Sequence, residues 1–194
     1  MSGDKTAKSA RERVLEVAGD LFYREGIRAV GIDTIIARSG VAKMSLYRNF
    51  ASKDDLIVAY LQVCSGNFWR WWDRVTTPFE GSPRALIRGL FEALLVKVNR
   101  PGFRGCPFVN TATEFPTPGH PAREAALEYH RELRSRLTRI ANDLGALRPE
   151  ALADQLVILM DGVYASAGTF SSPEAAAAIL AAVDALVDAQ VPTR

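Results

Sequence analysis

The sequence predicts an all-α chain, with an N-terminal three-helix domain of helix-turn-helix type over residues 1–52 and a larger helical domain over residues 53–194. Three observations carry that expectation. Apolar residues recur at three- and four-residue spacing along most of the chain, and no alternating run calls for a strand. Capping residues and prolines interrupt that pattern at helix-length intervals. The composition, 48% hydrophobic and 24% charged, is that of a chain able to bury a core.

The first helix is marked at both ends. Ser9 and Glu12 have the spacing of a capping box, in which the serine oxygen takes one free backbone N–H and the glutamate returns to another. Val14, Ala18, Leu21 and Phe22 then form one stripe, and Gly26 can take the positive φ that ends a helix, so the element spans about Ala10 to Glu25. A second helix of about two turns carries Ile32, Ile35 and Ile36 between Gly31 and Gly40. A third, from about Lys43 to Asn49, places Leu46 and Phe50 four residues apart. Two short helices joined by a glycine turn form a helix-turn-helix candidate.

Ser52 and Asp55 repeat the capping spacing before a long helix to about Thr76. That helix is apolar on more than one side: Leu56, Tyr60 and Val63 share one stripe, and Ile57, Leu61, Cys64, Phe68 and Trp72 another. It should therefore lie between neighbours. Further helices are expected over about Ala85–Val98, Cys106–Phe115, Pro121–Leu144, Glu150–Ala167 and Pro173–Ala189. Pro121, Pro149 and Pro173 suit first-turn positions, where a missing N–H costs no hydrogen bond.

Charge and motif content narrow the function classes. The 24 Lys and Arg residues exceed the 22 Asp and Glu residues by two, and the whole excess lies in residues 1–55, with 10 basic against 8 acidic side chains. That locates a small basic patch where nucleic acid would be sought. Cys64 and Cys106 lie 42 residues apart and form no CxxC pair, so structural thiols are expected and no metal or cofactor. No apolar run is long enough to span a bilayer, and the N-terminus carries no secretory pattern, which suggests a cytoplasmic protein without a membrane partner. An enzyme built in a helical bundle around His120 and His130 is the rival class, but no H-E-x-x-H or G-x-S-x-G sequence supports it.

In a helix-turn-helix, the first helix crosses the DNA backbone and holds the second in the major groove. Ile32, Ile35, Val41, Leu46 and Phe50 would form the inner face here, leaving Ala42, Lys43, Met44, Ser45, Tyr47, Arg48 and Asn49 outside. Lysine, serine and asparagine can bond base edges or phosphate, and the Ala42 methyl can meet a thymine methyl. Tyr47 and Arg48 suit phosphates.

The run Val41-Ala-Lys-Met-Ser-Leu-Tyr-Arg-Asn-Phe-Ala-Ser-Lys-Asp-Asp-Leu56 resembles the DNA-binding domain of the TetR family of bacterial transcriptional regulators. Gly40-Val41, Leu46-Tyr47, Phe50 and Ser52-Lys53 fall at the family's spacing, over about residues 9–60. The resemblance implies that Lys43, Met44 and Ser45 face bases, that Tyr47 with Arg48 or Asn49 holds phosphates, and that Lys53 binds phosphate at the start of the fourth helix. Gly31 stands where members often carry a capping Thr or Ser, and Ile36 where a small Ala is common.

It also implies a C-terminal helical ligand-binding and dimerisation domain, a homodimer on a palindromic double-stranded operator, and a small-molecule effector that releases a repressor. Candidate effector residues are Phe68, Trp72, Phe91, Cys106, Phe108, Asn110, Glu114, Met160 and Tyr164, with Cys106, Asn110 and Glu114 aligned at i, i+4 and i+8. Asn110 and Glu114 have an alternative role, satisfying backbone groups or pairing with an arginine. Candidate interface residues are Leu152, Leu156, Leu159, Val163, Ile179, Ala182, Val183 and Leu186, with intramolecular core as the alternative. A thiol-responsive regulator using Cys64 or Cys106 is the second reading within the class.

Overall fold

The computed structural model describes residues 8–169 and 172–191 and, among them, contains nine α-helices and no strand. They are α1 (Ala10–Glu25), α2 (Ile32–Ser39), α3 (Lys43–Asn49), α4 (Lys53–Thr76), α5 (Pro83–Val98), α6 (Pro107–Glu114), α7 (Pro121–Asp143), α8 (Pro149–Ala165) and α9 (Pro173–Gln190). A 3₁₀ turn at Thr77–Phe79, which the sequence pattern does not signal, joins α4 to α5. The expected helices agree with these to within a few residues at each end.

Local chemistry accounts for the boundaries. Ser9 and Glu12 form the reciprocal capping box, with Ser9 N–H donating to the Glu12 carboxylate at 2.8 Å and Glu12 N–H to Ser9 Oγ at 3.2 Å. Ser52 Oγ accepts from Asp55 N–H at 3.0 Å, and Ser172 Oγ from Ala175 N–H at 3.2 Å. Pro83, Pro107, Pro121, Pro149 and Pro173 each open a helix.

Helices α1 to α3 close the head around Val14, Ala18, Leu21, Phe22, Ile35, Val41, Leu46 and Phe50, all buried, with Ile32 half-buried at the edge. Gly40 turns the chain between α2 and α3 in the left-handed region, φ 62° and ψ 23°, and its N–H reaches Ile36 C=O at 3.1 Å. The start of α4 seals the head: Leu56 and Ile57 are buried, and Tyr60 meets Phe22 edge to face at 5.6 Å between ring centroids. Further along, Phe68, Trp71 and Trp72 of the same helix are buried in the body, where α4 packs on α5 and α7. As expected, α4 is covered on more than one side. Val63 departs from that expectation, being 45% exposed at the edge of a cavity.

In the body, α7 packs along α8, and α5 contacts α8 and α9. The expected interface residues Leu152, Leu156, Val163 and Val183 are turned into this protomer's own core. Leu159, Ile179 and Leu186 are half-buried against it, and Ala182 is exposed. The reason is volume: α8 and α9 are apolar nearly all round, and the space against α5 and α7 takes the branched side chains. The outward face carries Ile158, 71% exposed, together with Gly162, Ala178, Ala182 and Ala185.

His130 on α7 uses both ring nitrogens, Nδ1 lying 3.0 Å from Ala126 C=O of its own helix and Nε2 reaching α8, 3.3 Å from an Asp161 carboxylate oxygen. Two acceptors are satisfied together only by the doubly protonated ring. Burial works against that charge, but the bonds to Asp161 and Ala126 outweigh it and raise the His130 pKa above its ordinary 6.5. A raised folded pKa adds stability that is fully present below the unfolded value and is lost as pH rises through the folded one. The melting-temperature advantage of the wild type over His130→Gln should therefore be largest below about pH 6.5 and shrink above it; an advantage independent of pH would contradict the charged ring. At Gly40 a Cβ would meet nothing within 4 Å, so Gly40→Ala should cost only the left-handed backbone, about 1–2 kcal/mol by urea denaturation.

Candidate functional site

Helix α3, the second helix of the helix-turn-helix, presents a polar and basic face. Leu46 and Phe50 point inward, while Ala42, Lys43, Met44, Tyr47, Arg48 and Asn49 are exposed and Ser45 is half-buried. Met44 is 74% exposed and Tyr47 41%, an arrangement of large apolar groups with no folding role in the isolated chain. Lys43 Nζ lies 3.4 Å from Asp33 across the turn, in a solvated pair that a phosphate can displace. Asn49 Nδ2 donates back to Ser45 C=O at 2.7 Å. Gly31 supplies no side-chain cap to α2, so the N–H groups at that helix start stay open to an anion.

Lys53 departs from its expected position. Its ammonium donates to Ile27 C=O at 2.7 Å, in the α1–α2 loop, instead of standing free at the start of α4. Burial draws its pKa down, against the opposing attraction of Glu114 and Asp54. The loop carbonyl and the nearby carboxylate of Glu114 hold it inward.

Glu114, the last residue of α6, closes the same junction. One carboxylate oxygen accepts from Ile27 N–H at 3.1 Å and the other from Arg28 N–H at 2.7 Å, so a single side chain of the body grips two successive amides of the head. The guanidinium of Arg28 lies 5.7 Å from the centre of the Phe115 ring. Tyr23 of α1 adds a second tie, its hydroxyl accepting from Arg104 N–H at 2.9 Å and donating to Gly105 C=O at 3.3 Å.

Between α1, α4, α7 and the chain leading into α6 lies a cavity of about 630 Å³. Of the candidate effector residues, Phe68, Cys106, Phe108 and Tyr164 line it, beside Tyr23, Tyr60, Trp71, Lys97 and Tyr129, which the sequence pattern did not assign to a ligand site. Phe108 and Tyr129 stack with ring planes 6° apart. Asn110 and Glu114 line an adjoining space of about 570 Å³. Their polar groups are already engaged, Asn110 by donating to Arg104 C=O at 2.9 Å and Glu114 by the loop amides. Trp72, Phe91 and Met160 are buried without lining either space. Burial pushes the Cys64 and Cys106 thiols up to about 11, which keeps both protonated near neutral pH.

Comparison with known proteins accounts for this two-part organisation. The description of bacterial regulatory proteins of the tetR family matches residues 14–60, and that of the tetracyclin repressor-like C-terminal domain matches residues 83–183. A crystal structure of a TetR-family transcriptional regulator from Streptomyces coelicolor is 32% identical, with 94% of this chain and 96% of that one covered and a TM-score of 0.81. The chain belongs to the TetR family of transcriptional regulators. A second TetR structure, from Streptomyces avermitilis, is 31% identical over 91% of this chain and 99% of its own, with a TM-score of 0.77. An HTH-type transcriptional regulator of Staphylococcus aureus is 36% identical over 58 residues, which span 30% of this chain and 31% of that protein.

This TetR-family regulator thus carries a DNA-binding helix-turn-helix over α2 and α3. Among the described residues no group of three or more His, Cys, Asp or Glu side chains is placed to hold a metal ion, and no helix is long and apolar enough to cross a membrane. The cavity residues missed in the sequence left faint traces. Tyr23 sits off the buried stripe of α1, and Lys97 is a cation at the end of the apolar α5, yet no local pattern joins them. Because Tyr47 is exposed, Tyr47→Ala should shift the melting temperature by no more than about 2 °C while weakening binding to specific DNA at least about tenfold in fluorescence anisotropy. Equal loss of stability and binding would mean that Tyr47 supports the head instead of contacting DNA.

Proposed function

We propose that this TetR-family protein is a homodimeric repressor that leaves a palindromic operator when a small molecule enters the cavity beside α6. One observation carries the reading: α6 touches the cavity with its first turn, through Pro107 and Phe108, and grips the α1–α2 loop with its last residue, Glu114. A ligand that shifts the start of this two-turn rod shifts the loop on which the head is hung. Its effect is limited to its difference in affinity for the two head positions, about 1–3 kcal/mol in typical couplings.

In this reading Lys43, Met44 and Ser45 face the bases, and Tyr47, Arg48 and the open start of α2 hold phosphates. Asn49 joins them when its bond to Ser45 opens, and Lys53 acts indirectly by bracing the loop. The interface uses the outward faces of α8 and α9, where Ile158, Gly162, Ala178 and Ala182 allow close helix approach. Gln155 supports this, since its buried side-chain oxygen has no hydrogen-bond partner in the single chain. Two heads related by a two-fold axis then read half-sites about one helical turn or a multiple of it apart. The elevated thiol pKa values favour this reading over a thiol-responsive switch.

The test is anisotropy with a duplex from upstream of the protein's own gene and a scrambled control. A dimer should prefer the former by about 10³-fold or more. A small molecule that raises the melting temperature should lower operator affinity about 5- to 150-fold in the wild type, and by far less in Glu114→Ala. Unchanged affinity with the cavity saturated would overturn release by ligand, and equal release in Glu114→Ala would overturn the route through α6.

A further inference from the structure

The cavity contains a cation without a counterion. Lys97, one residue before the end of α5, turns its ammonium among aromatic rings, 4.5 Å from the centre of Trp71, 5.3 Å from Phe68 and 5.7 Å from Tyr164. Its single hydrogen bond among the described residues is a long one, 3.5 Å, to the Tyr164 hydroxyl. An ammonium offers three donors, so donor capacity is left over for a ligand that enters the cavity. No carboxylate among the described residues lies within 4 Å of it to form an ion pair. The two carboxylates that line the cavity are engaged elsewhere, Glu16 with Lys8 and Asp20 with Arg24, each at 2.6 Å. Burial lowers the Lys97 pKa, the direction expected of a cation that lacks a partner.

The remaining walls define what such a partner must be. Arg74 and Arg100 stand at the exposed edge of the cavity and add positive potential along the entry. Inside, Lys97 is the lone cation among the described lining residues, and Phe68, Trp71, Phe108 and Tyr129 give the same cavity flat apolar walls. One internal positive charge balances one negative charge. A dianion such as a phosphate monoester would leave a net charge in an aromatic enclosure, at high desolvation cost. A neutral apolar molecule would leave the ammonium as it is, still unpaired.

We propose that the ligand of this cavity is a small monocarboxylate with a flat apolar body, its carboxylate bound to Lys97 and its body lying among Phe68, Trp71 and Phe108. The inference rests on the reading of this cavity as the effector site and specifies its chemistry. Cation–π contacts hold the ammonium in place before the ligand arrives, so the charge is aimed without the ligand having to order it.

Benzoate, 2-naphthoate and biphenyl-4-carboxylate, each beside its carboxamide, test the proposal by quenching of tryptophan fluorescence in the full-length protein at neutral pH. At least one acid should bind about tenfold or more tightly than its amide, the difference expected of a charged partner for a buried cation. That preference should fall to about twofold or less in Lys97→Met and survive in Lys97→Arg. Melting curves guard against misfolding: Lys97→Met should still unfold in one cooperative transition, its melting temperature lowered by no more than the lost cation–π contacts account for. Amides binding as well as acids, a preference that persists in Lys97→Met, or no binding by any of the six compounds would overturn the proposal. Acid binding that depends on Lys97 but leaves operator affinity unchanged would uphold this ligand class and overturn the effector role of the cavity instead.

Discussion

A helix that is apolar on two sides imposes most of this architecture. The start of α4 needs cover for Leu56, Ile57 and Tyr60, and its later turns need cover for Phe68, Trp71 and Trp72. Helix α1 of the head supplies the first and α5 and α7 the second, so one continuous rod belongs to both the DNA-binding head and the body. Each fully buried side chain of this kind contributes about 1.5–3 kcal/mol. The head is therefore not free to tumble on a linker, and any change in its position has to be made by small movements at this packed junction.

The junction itself is polar and specific. Glu114 accepts from two consecutive amides, Lys53 donates to the carbonyl of the first of those residues, and Tyr23 holds the chain just before α6. These bonds are directional, unlike the apolar contact beneath them, and they join the α1–α2 loop to the short helix whose first turn borders the cavity. Coupling between distant sites needs an element with two arrangements that each site biases. Here α6 has the position and the attachments for that role, and in the proposed function the aromatic cavity is the place where a ligand acts on it.

Particular residues show how far local pattern reached. Ser9, Gly40, Ser52, Pro121, Pro149 and Pro173 marked helix limits in the sequence, because capping chemistry operates over three or four residues and can be read from the chain directly. Leu46 and Phe50 likewise separated the inner face of α3 from the exposed Met44 and Tyr47. The pattern was less informative in α8 and α9: helices rich in Ala, Leu and Val on every side do not declare which side meets a neighbour, and Leu152, Leu156 and Val163 went inward. Asn110 and Glu114 formed the anticipated polar stripe, but its partners were loop amides and carbonyls far away in the chain.

By itself the sequence determined an all-helical chain, its helix limits, the helix-turn-helix face and the family, since each depends on interactions between residues a few positions apart or on a contiguous motif. Only the tertiary structure decided the direction in which Lys53 points, the role of Glu114 and the grouping of Tyr23, Trp71, Lys97 and Tyr129 around one cavity. Those four residues come from α1, α4, α5 and α7, and nothing in the spacing along a chain encodes the distance between helices that meet side by side. Packing sets that distance, and packing depends on the whole core at once.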